Sequence, residues 1–399
     1  MAGYIGNFPT AIPLASSDLA DGLVTTAKLA DSSVTAPKVK ADLNFRNLII
    51  NGDMSIAQRG TSQASISSGG YYTCDRWRTK SDGSFGAFTQ SQDTDVPTGQ
   101  GFANSLKMDC TSTHTITAND ALQIEHRLEG QMLQMLKKGT SNAESVTLSF
   151  WVKSNKTGTY IAELFDADNT RTINKSYTIN SSNTWEKKTI TYAGDTTGAF
   201  DSDNALSLYL IFWLGAGSTY TSGTLSTSWQ ARVNGDRAVG QVNLADSTDN
   251  NFWITGVQLE VGTSASDFEF LPHDVNLVRC QRYYQQLNQN GSNGWCTFSG
   301  VRNGTADVQN IGIPLPTPLR IGNPTVTKSS SSLMQAWDGD GYHITSSGGS
   351  GSMTVPVNSG NDTPYLMVNT NGFTGLDTGG SISWSIVLGT PSAEFDAEL

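Results

Sequence analysis

The 399-residue chain carries 25 basic and 36 acidic side chains, a formal net charge of −11 and a pI near 4.8. That acidity excludes the basic face a nucleic-acid binder needs, and the densest apolar run, Leu206 to Leu214, is far shorter than the ~20 residues of a membrane span. Charged residues are only 15% of the chain and glycines number 40, a balance that favours short strands and many turns over helices.

Residues 1–45 differ from the rest. Aromatics occur there only at Tyr4, Phe8 and Phe45, and no Lys or Arg precedes Lys28, so no secretory signal is expected. Ala20 to Leu29 and Ala30 to Val39 form a decapeptide repeat: Val24 matches Val34, Thr25 Thr35, Lys28 Lys38 and Leu29 Val39. One copy has too few apolar side chains to bury them alone. Such a segment is either a linker or is ordered by packing against copies of itself.

From Arg46 onward the pattern is β. Val146, Leu148, Phe150 and Val152 alternate with Thr147, Ser149 and Trp151. Leu206, Leu208, Leu210, Phe212 and Leu214 alternate with Tyr209, Ile211 and Trp213, which predicts a strand covered on both faces. Trp253, Thr255, Val257, Leu259 and Val261 form a further alternating set. Turn-rich stretches, such as Asp166 to Thr170 and Ala193 to Gly198, separate the strands and point to a sandwich or jelly roll.

Two segments read as helices. Leu128, Met132, Met135 and Leu136 have helical spacing, with Lys137 and Lys138 in the last turn and Gly139 as the stop. A second helix is predicted to start at Asp274 as N-cap, with Leu277, Cys280, Tyr284 and Leu287 in a 3-4-3 seam. That seam either joins copies of the chain or packs the helix onto the preceding domain. Beyond Asn288, Gly, Ser and Asn dominate, and Ile382, Trp384, Ile386 and Leu388 alternate with serines, so a small β domain is expected over 289–399.

Several segments resemble a module of tailed-bacteriophage fibres, notably those of marine and cyanobacterial phages. They are Asn47 to Met54, Ala57 to Thr61, Tyr71 to Trp77, Gly139 to Ser154, Ile254 to Gly262, Phe268 to Phe270 and Arg279 to Tyr284. Their order and spacing cover roughly residues 46–285. Met1 to Gly6 is similar to the tail-attachment end of short-tailed-phage fibres, and the decapeptide repeat to fibre shafts. Phe395 to Leu399 is similar to fibre C-termini. The resemblance implies a homotrimeric virion fibre with a carbohydrate-binding-module-like jelly roll, a tail-attachment segment around Tyr4, Ile5 and Phe8, and a distal end that recognises the host surface. Jelly rolls of this kind often hold a structural calcium through acidic residues before the last core strand. Thr255 and Gly256 stand there in this chain and supply no carboxylate; Glu260 is near but sits differently.

Enzyme signatures are sparse. G-x-S-x-G, H-E-x-x-H, G-x-x-x-x-G-K-[ST] and G-x-G-x-x-G do not occur, and His114, His126, His273 and His343 are scattered. Asp166 with Asp168, Asp201 with Asp203, and Asp338 with Asp340 could each supply two carboxylates for glycoside hydrolysis, but each pair lies in a turn-rich stretch where Asp is common for its turn role. Asp338-Gly-Asp-Gly is short of a calcium loop's oxygen count and reads as a tight turn. Cys74, Cys110, Cys280 and Cys296 are too sparse for a disulfide scaffold and read as reduced thiols.

A sugar site wants flat rings for C–H faces and short polar groups for hydroxyls. Trp77, Trp151, Trp185, Trp213 and Trp253 are assigned to the core. Trp337 and Tyr342, flanked by Asp338 and Asp340, and Trp295 lie in turn-rich sequence. They either contact a receptor or anchor their own loops.

The expected architecture is mainly β. Residues 1–45 form an attachment segment and short shaft, 46–273 a jelly roll, and 274–399 a junction helix with a β tip. The expected function is non-enzymatic adsorption to a bacterial surface glycan. The fibre is made in the host cytoplasm and carried on the virion, as a homotrimer joined to a tail adaptor protein. No cofactor, metal, nucleic acid or membrane insertion is expected. The rival readings are a polysaccharide-degrading tail enzyme and a purely structural tail or virion decoration protein.

Overall fold

The computed structural model of the chain describes residues 45–287, 294–302, 308–321, 324–328, 334–338, 341–344, 353–354, 365–370, 382–388 and 393–399. The chain divides into two units between Asn44 and Phe45. The attachment residues Tyr4, Ile5 and Phe8 and the decapeptide repeat lie outside the described residues.

Thirteen strands build a sandwich. They are β1 (Ser62–Ile66), β2 (Gly70–Tyr71), β3 (Trp77–Asp82), β4 (Ala87–Asp93), β5 (Ser105–Ser112), β6 (Ala121–Glu129), β7 (Val146–Ser154), β8 (Gly158–Asp166), β9 (Arg171–Ile179), β10 (Glu186–Tyr192), β11 (Leu206–Ala216), β12 (Gln230–Ala231) and β13 (Asn251–Val261). One short helix, α1 (Ser218–Thr221), follows β11. The front sheet has the order β1-β4-β5-β13-β7-β10 and the back sheet β12-β9-β8-β11-β6-β3-β2. The pairings are antiparallel throughout. The protein is thus mainly β, as expected.

Alternation puts the core between the sheets. Leu148, Phe150 and Val152 of β7 point inward against Leu208, Leu210, Phe212 and Leu214 of β11, all buried. Phe150 meets Tyr177 and Phe212 edge-on, each at 5.0 Å between ring centroids, an arrangement aromatic pairs favour. Trp77 is fully buried, its indole N–H donating to the Asn51 carbonyl at 2.9 Å. Cys74, Cys110 and Cys280 are buried free thiols; the Cys296 side chain lies outside the described residues.

β13 departs from strict alternation. Its pairing with β7 slips between Thr255 and Gln258, a β-bulge centred on Gly256 at φ +62°. An added Cβ there would lie 2.5 Å from the Phe102 ring, so this site requires glycine twice over. The bulge reverses parity along the strand. Phe252 and Ile254 face the core before it, and Val257 and Leu259 after it. Trp253 and Thr255 therefore do not share a face with Val257 and Leu259, which corrects the single alternating set expected from sequence.

The first predicted helix is also corrected. Leu128 lies in strand β6, and two 3₁₀ turns follow at Gly130–Met132 and Gln134–Leu136. Gly130 packs so closely on the Asp201 carbonyl that a Cβ would lie 1.9 Å from it. Lys137 then turns left-handed at φ 49°, and Lys138 plunges between Asp166 (2.5 Å) and Asp195 (3.1 Å). Tertiary contacts override the helical spacing here.

The second helix forms as α2 (His273–Gln281), with Pro272 at its cap and Asp274 in its first turn. Cys280 and Leu277 pack on Ile50, Ile56 and Tyr283 of the same chain. Tyr284 and Leu287 belong to the next strand, so the 3-4-3 seam is not one helical face. The helix closes its own domain.

The strands that follow are β14 (Tyr284–Leu287), β15 (Gly294–Arg302), β16 (Val308–Pro314), β17 (Thr325–Lys328), β18 (Met334–Asp338), β19 (Gly341–Ile344), β20 (Met353–Thr354), β21 (Tyr365–Thr370), β22 (Ile382–Leu388) and β23 (Ala393–Asp396). They form a seven-stranded sheet, β19-β18-β22-β15-β16-β21-β20, and a three-stranded one, β14-β23-β17. After β23 the chain returns to the sandwich. Glu398 pairs with the fully buried Arg76 and, at 3.4 Å, with Arg59. Arg320 donates to the Ala397 carbonyl at 2.8 Å. The last residues thus supply the counter-charge to an arginine buried beneath the sandwich surface.

Candidate functional site

Odd-numbered positions of β7 point away from the core, and the bulge at Gly256 sends Trp253 and Thr255 the same way. Lys107 of β5 and Lys153 of β7 are the register partners of Trp253 on either side. Trp151 sits between Thr255 on β13 and Lys187 on β10. Trp185, just before β10, reaches the same end of the sheet. Three tryptophans and three lysines are thus gathered on the outer face of the front sheet, where sequence alone assigned Trp151, Trp185 and Trp253 to the core.

The cluster is internally braced. Lys153 Nζ lies 4.2 Å from the Trp253 ring and 5.5 Å from the Trp185 ring, and Lys107 Nζ lies 5.1 Å from Trp253. Such cation–π contacts strengthen when desolvated, and Lys153 is 6% exposed. The Trp253 indole N–H donates to Asp93 at 3.3 Å, and that of Trp185 to Asp95 at 2.9 Å. Asp95 also pairs with Lys153. Partial burial pushes the Asp95 carboxyl upward, but the hydrogen bonds from Lys153 and Trp185 outweigh it and hold it below its ordinary value. Trp253 is 9% exposed and underpins the group. Trp151 and Trp185 are half-buried and keep ring surface in solvent, beside exposed Lys187 and Thr189 of β10, while half-buried Ser91 and Asp109 lie farther across the sheet on β4 and β5. Fixed rings next to short polar groups and ammonium donors are what stacking on a sugar ring and bonding its hydroxyls require.

The back sheet treats its outer aromatics differently. Trp213 is fully buried under Tyr220 of α1 and Ala238. Its N–H donates to Glu163 at 2.9 Å, as do Arg237 Nε at 2.9 Å and Thr172 Oγ1 at 2.8 Å. Tyr209 and Phe165 are half-buried beyond this roof, and each carries an arginine over its ring: Arg127 at 5.0 Å and Arg232 at 4.8 Å. This strand is covered on both faces at Ile211 and Trp213, as its sequence implied.

The sequence-predicted receptor residues are distributed otherwise than expected. Trp337 and Tyr342 are not in a loop. They are direct partners across the β18–β19 hairpin, with Asp338 opposite Gly341. Trp295 lies in β15 opposite Val387, again a strand rather than a loop. Asp340 and the side chains of Trp295, Trp337, Asp338 and Tyr342 lie outside the described residues.

Among the described residues, three of the paired aspartates have engaged carboxylates. Asp166 is fully buried against Lys138 and Asn169, and Asp168 accepts from the Asp201 amide at 3.0 Å. Asp203 accepts from the Ala205 amide at 2.9 Å. At the site of the expected calcium departure, Thr255 Oγ1 donates to the Asn104 carbonyl at 2.7 Å. Among the described residues no three His, Cys, Asp or Glu side chains converge as a metal site, and no helix is long and apolar enough to cross a membrane. A cleft lined by Asn47, Asn51, Asp53, Glu269, Asn276 and Arg279 has room only for water-sized occupants.

No protein-family model matches the chain, and no curated protein matches it. Among solved structures, the bacteriophage CBA120 tailspike protein 4 enzymatically active domain is 14% identical at a TM-score of 0.28, over 54% of this chain and 22% of that one. The CBM22-2 xylan-binding domain from Paenibacillus barcinonensis Xyn10C is 15% identical at 0.25, over 54% and 98%. The family 11 carbohydrate-binding module from Clostridium thermocellum, in complex with a mixed-linked tetrasaccharide, is 11% identical at 0.26, over 52% and 98%. At these identities and TM-scores, what this chain does has to be read from its own side chains.

Proposed function

We propose that the chain is a tail-fibre protein of a tailed bacteriophage that adsorbs to a bacterial surface glycan, without catalysis, through the outer face of the front sheet. One observation carries the reading: Trp151 and Trp185 are only half-buried on the outer face of the front sheet, braced by Trp253, Lys153 and Asp95. Sugar C–H faces stack on the two rings, and Lys187 and Thr189 beside them bond hydroxyls, with Lys107 reached by a longer chain across Trp253. The cross-strand pair Trp337 and Tyr342 in the tip, with Asp338, Asp340 and Trp295, offers a second contact. The fibre resemblance of residues 46–285 and of Met1 to Gly6 supports placing the protein on a phage tail, docked through Tyr4, Ile5 and Phe8, as a homotrimer on the virion.

A single stacked sugar binds weakly. Three copies per fibre, and several fibres per particle, raise the effective affinity without new contacts. The low charge suits this role: a chain of net charge −11 does not adhere indiscriminately to polyanionic envelopes. The engagement of the Asp166, Asp168 and Asp203 carboxylates in a buried ion pair and turn hydrogen bonds favours adsorption over hydrolysis.

The test is adsorption of labelled full-length protein to a panel of bacterial strains, with soluble polysaccharide from an adsorbing strain as competitor. Saturable adsorption that the polysaccharide abolishes is expected, with no new reducing ends on prolonged incubation. Release of reducing ends would make the protein a depolymerase. Absence of adsorption to any strain the phage infects would favour a decoration protein.

A further inference from the structure

The back sheet beyond its roof carries a cluster of a different kind. Tyr209 of β11 and Phe165 of β8 are register partners, with ring centroids 5.4 Å apart. A guanidinium lies over each ring, Arg127 at 5.0 Å from Tyr209 and Arg232 at 4.8 Å from Phe165. Arg127 is fully engaged: its Nε and Nη2 donate to Glu125 Oε2 at 3.2 and 3.1 Å, and its Nη1 to the Leu399 carbonyl. Arg78, the register partner of Glu125 on β3, donates to the same oxygen at 3.2 Å. One carboxylate, 3% exposed, is thus shared by two arginines and leaves them with a surplus positive charge. Arg232 has no such partner. Its amide donates to the Thr170 carbonyl at 3.0 Å, its side chain is exposed, and among the described residues no carboxylate pairs with it. The half-buried Tyr209 hydroxyl likewise has no hydrogen-bond partner among the described residues. Burial raises the pKa of that phenol, and the charges of Arg127, Arg78 and Arg232 oppose the rise while that of Glu125 adds to it. Three positive charges and one negative therefore act on a single phenol, in a chain of net charge −11.

We propose that Arg232 and the Tyr209 hydroxyl bind an anionic oxygen group, the carboxylate or phosphate of an acidic saccharide, on the sheet opposite the tryptophans. The Phe165 ring orders the Arg232 side chain without neutralising its charge. A planar fork of N–H donors, the geometry that matches carboxylate and phosphate, is therefore held ready for an acceptor. Tyr209 adds one O–H donor. Arg127 and Arg78 contribute field rather than bonds, because Glu125 and the Leu399 carbonyl occupy Arg127 and Glu125 holds Arg78. That field favours an anion, and a neutral sugar gains nothing from it. On the front sheet, by contrast, Asp95 neutralises Lys153, and the ring faces of Trp151 and Trp185 make the contact. The two sheets thus read different features of a ligand, ring surface on one and charge on the other. The inference goes beyond the front-sheet reading and does not depend on it.

Saturation-transfer NMR titrations of the full-length protein with glucuronate, glucose 6-phosphate and glucose test it. At least one of the two anions is expected to bind more tightly than glucose. Arg232→Gln should weaken the favoured anion about tenfold and leave glucose unchanged. Tyr209→Phe should weaken it less, and Arg232→Lys should recover part of the loss. Lys187→Gln on the front sheet is the control and should leave anion binding as it is. A loss confined to glucuronate identifies the group as a carboxylate, and one confined to glucose 6-phosphate as a phosphate; either supports the site. An anion preference that survives Arg232→Gln overturns it, and so does the absence of any preference for an anion over glucose. Neither result touches the front-sheet reading, which stands or falls with Trp151 and Trp185. Arg232 is exposed, so its variants should melt as wild type does. Should they not, Tyr209→Phe decides, and full anion affinity in that variant overturns the site.

Discussion

On the back sheet Trp213 is fully buried beneath Tyr220 and Ala238, whereas on the front sheet Trp151 and Trp185 keep ring surface in solvent. Both faces combine aromatic rings with cations and carboxylates. The difference lies in what the cations do. Arg237 and Glu163 form an ion pair at 2.9 Å, with side chains 10% and 0% exposed, that ties the 217–246 segment down as a roof. Lys153 of β7 and Asp95, which follows β4, meet on the outer face of their sheet, with Asp95 46% exposed, and brace rings that stay half-buried. Aromatic content alone therefore does not mark a binding face; the exposure left to the rings does.

The comparison can be broken where it is strongest. Glu163→Ala should lower the unfolding free energy by about 3–5 kcal/mol, because it strands Arg237 in a buried site and leaves the Trp213 and Thr172 donors unsatisfied. Trp213→Ala should cost a similar ~3–5 kcal/mol through the cavity it leaves. Urea denaturation reads both, and glycan adsorption of the folded fraction should be unchanged. A loss of less than ~1 kcal/mol from either would mean the roof is not structural.

Gly256→Ala comes next. The left-handed backbone and the clash with Phe102 should cost about 1–3 kcal/mol. Because the bulge sets the parity that points Trp253 outward, the variant's tryptophan fluorescence should also shift. An unshifted spectrum with intact stability would argue that the bulge does not position the site.

Asp95→Asn should be smaller still in stability, about 1 kcal/mol: Asp95 is 46% exposed, and the amide oxygen still accepts from the buried Lys153. It should nonetheless weaken adsorption by loosening Trp185 and Lys153. Denaturation and adsorption measured on one preparation separate the two effects.

The smallest expected effect is that of pH on the site. Asp95 titrates below its unfolded value, so its stabilising contribution is present above about pH 4 and is lost as pH falls through the folded value. Adsorption should therefore be flat between about pH 5 and 8. Stability behaves differently because of Asp75. Burial pushes its carboxyl up to about 6 against the pull of Arg59 and Gln58. The folded state then holds that proton more tightly than the unfolded one. Asp75 should make stability fall as pH rises from about 4 to 6, and Asp75→Asn should remove that slope from the melting curve.

Much of the sandwich was legible in the sequence. The inward sets of β7 and β11 follow from period two, and the polar companions of Trp151, Thr147 and Ser149, already placed that tryptophan on the outer face. The default that tryptophans are buried obscured this signal. Trp253 could not be placed in the same way, because a one-residue bulge reverses parity and only Gly256 hints at it. The misread helix at 128–139 and the broken seam at 277–287 have a common cause. Spacing is a local signal, while Gly130 against Asp201, Lys138 between two aspartates and Tyr284 in a strand are set by distant segments. The return of Glu398 to Arg76 was equally invisible, and it bears on experiment. Deleting 289–399 would strip a buried arginine of its counter-charge, so the tip is better probed by substitution than by truncation.

The central claim is that the front-sheet tryptophans carry adsorption. Its most direct test measures adsorption of Trp151→Ala/Trp185→Ala and Trp337→Ala/Tyr342→Ala full-length proteins to an adsorbing strain, with melting temperature as the control for folding. The first variant should lose adsorption at least about tenfold while melting close to wild type, given stacking free energies on the order of 1.4 kcal/mol or more, and the second should lose less. Wild-type adsorption by a folded Trp151→Ala/Trp185→Ala protein would contradict the claim.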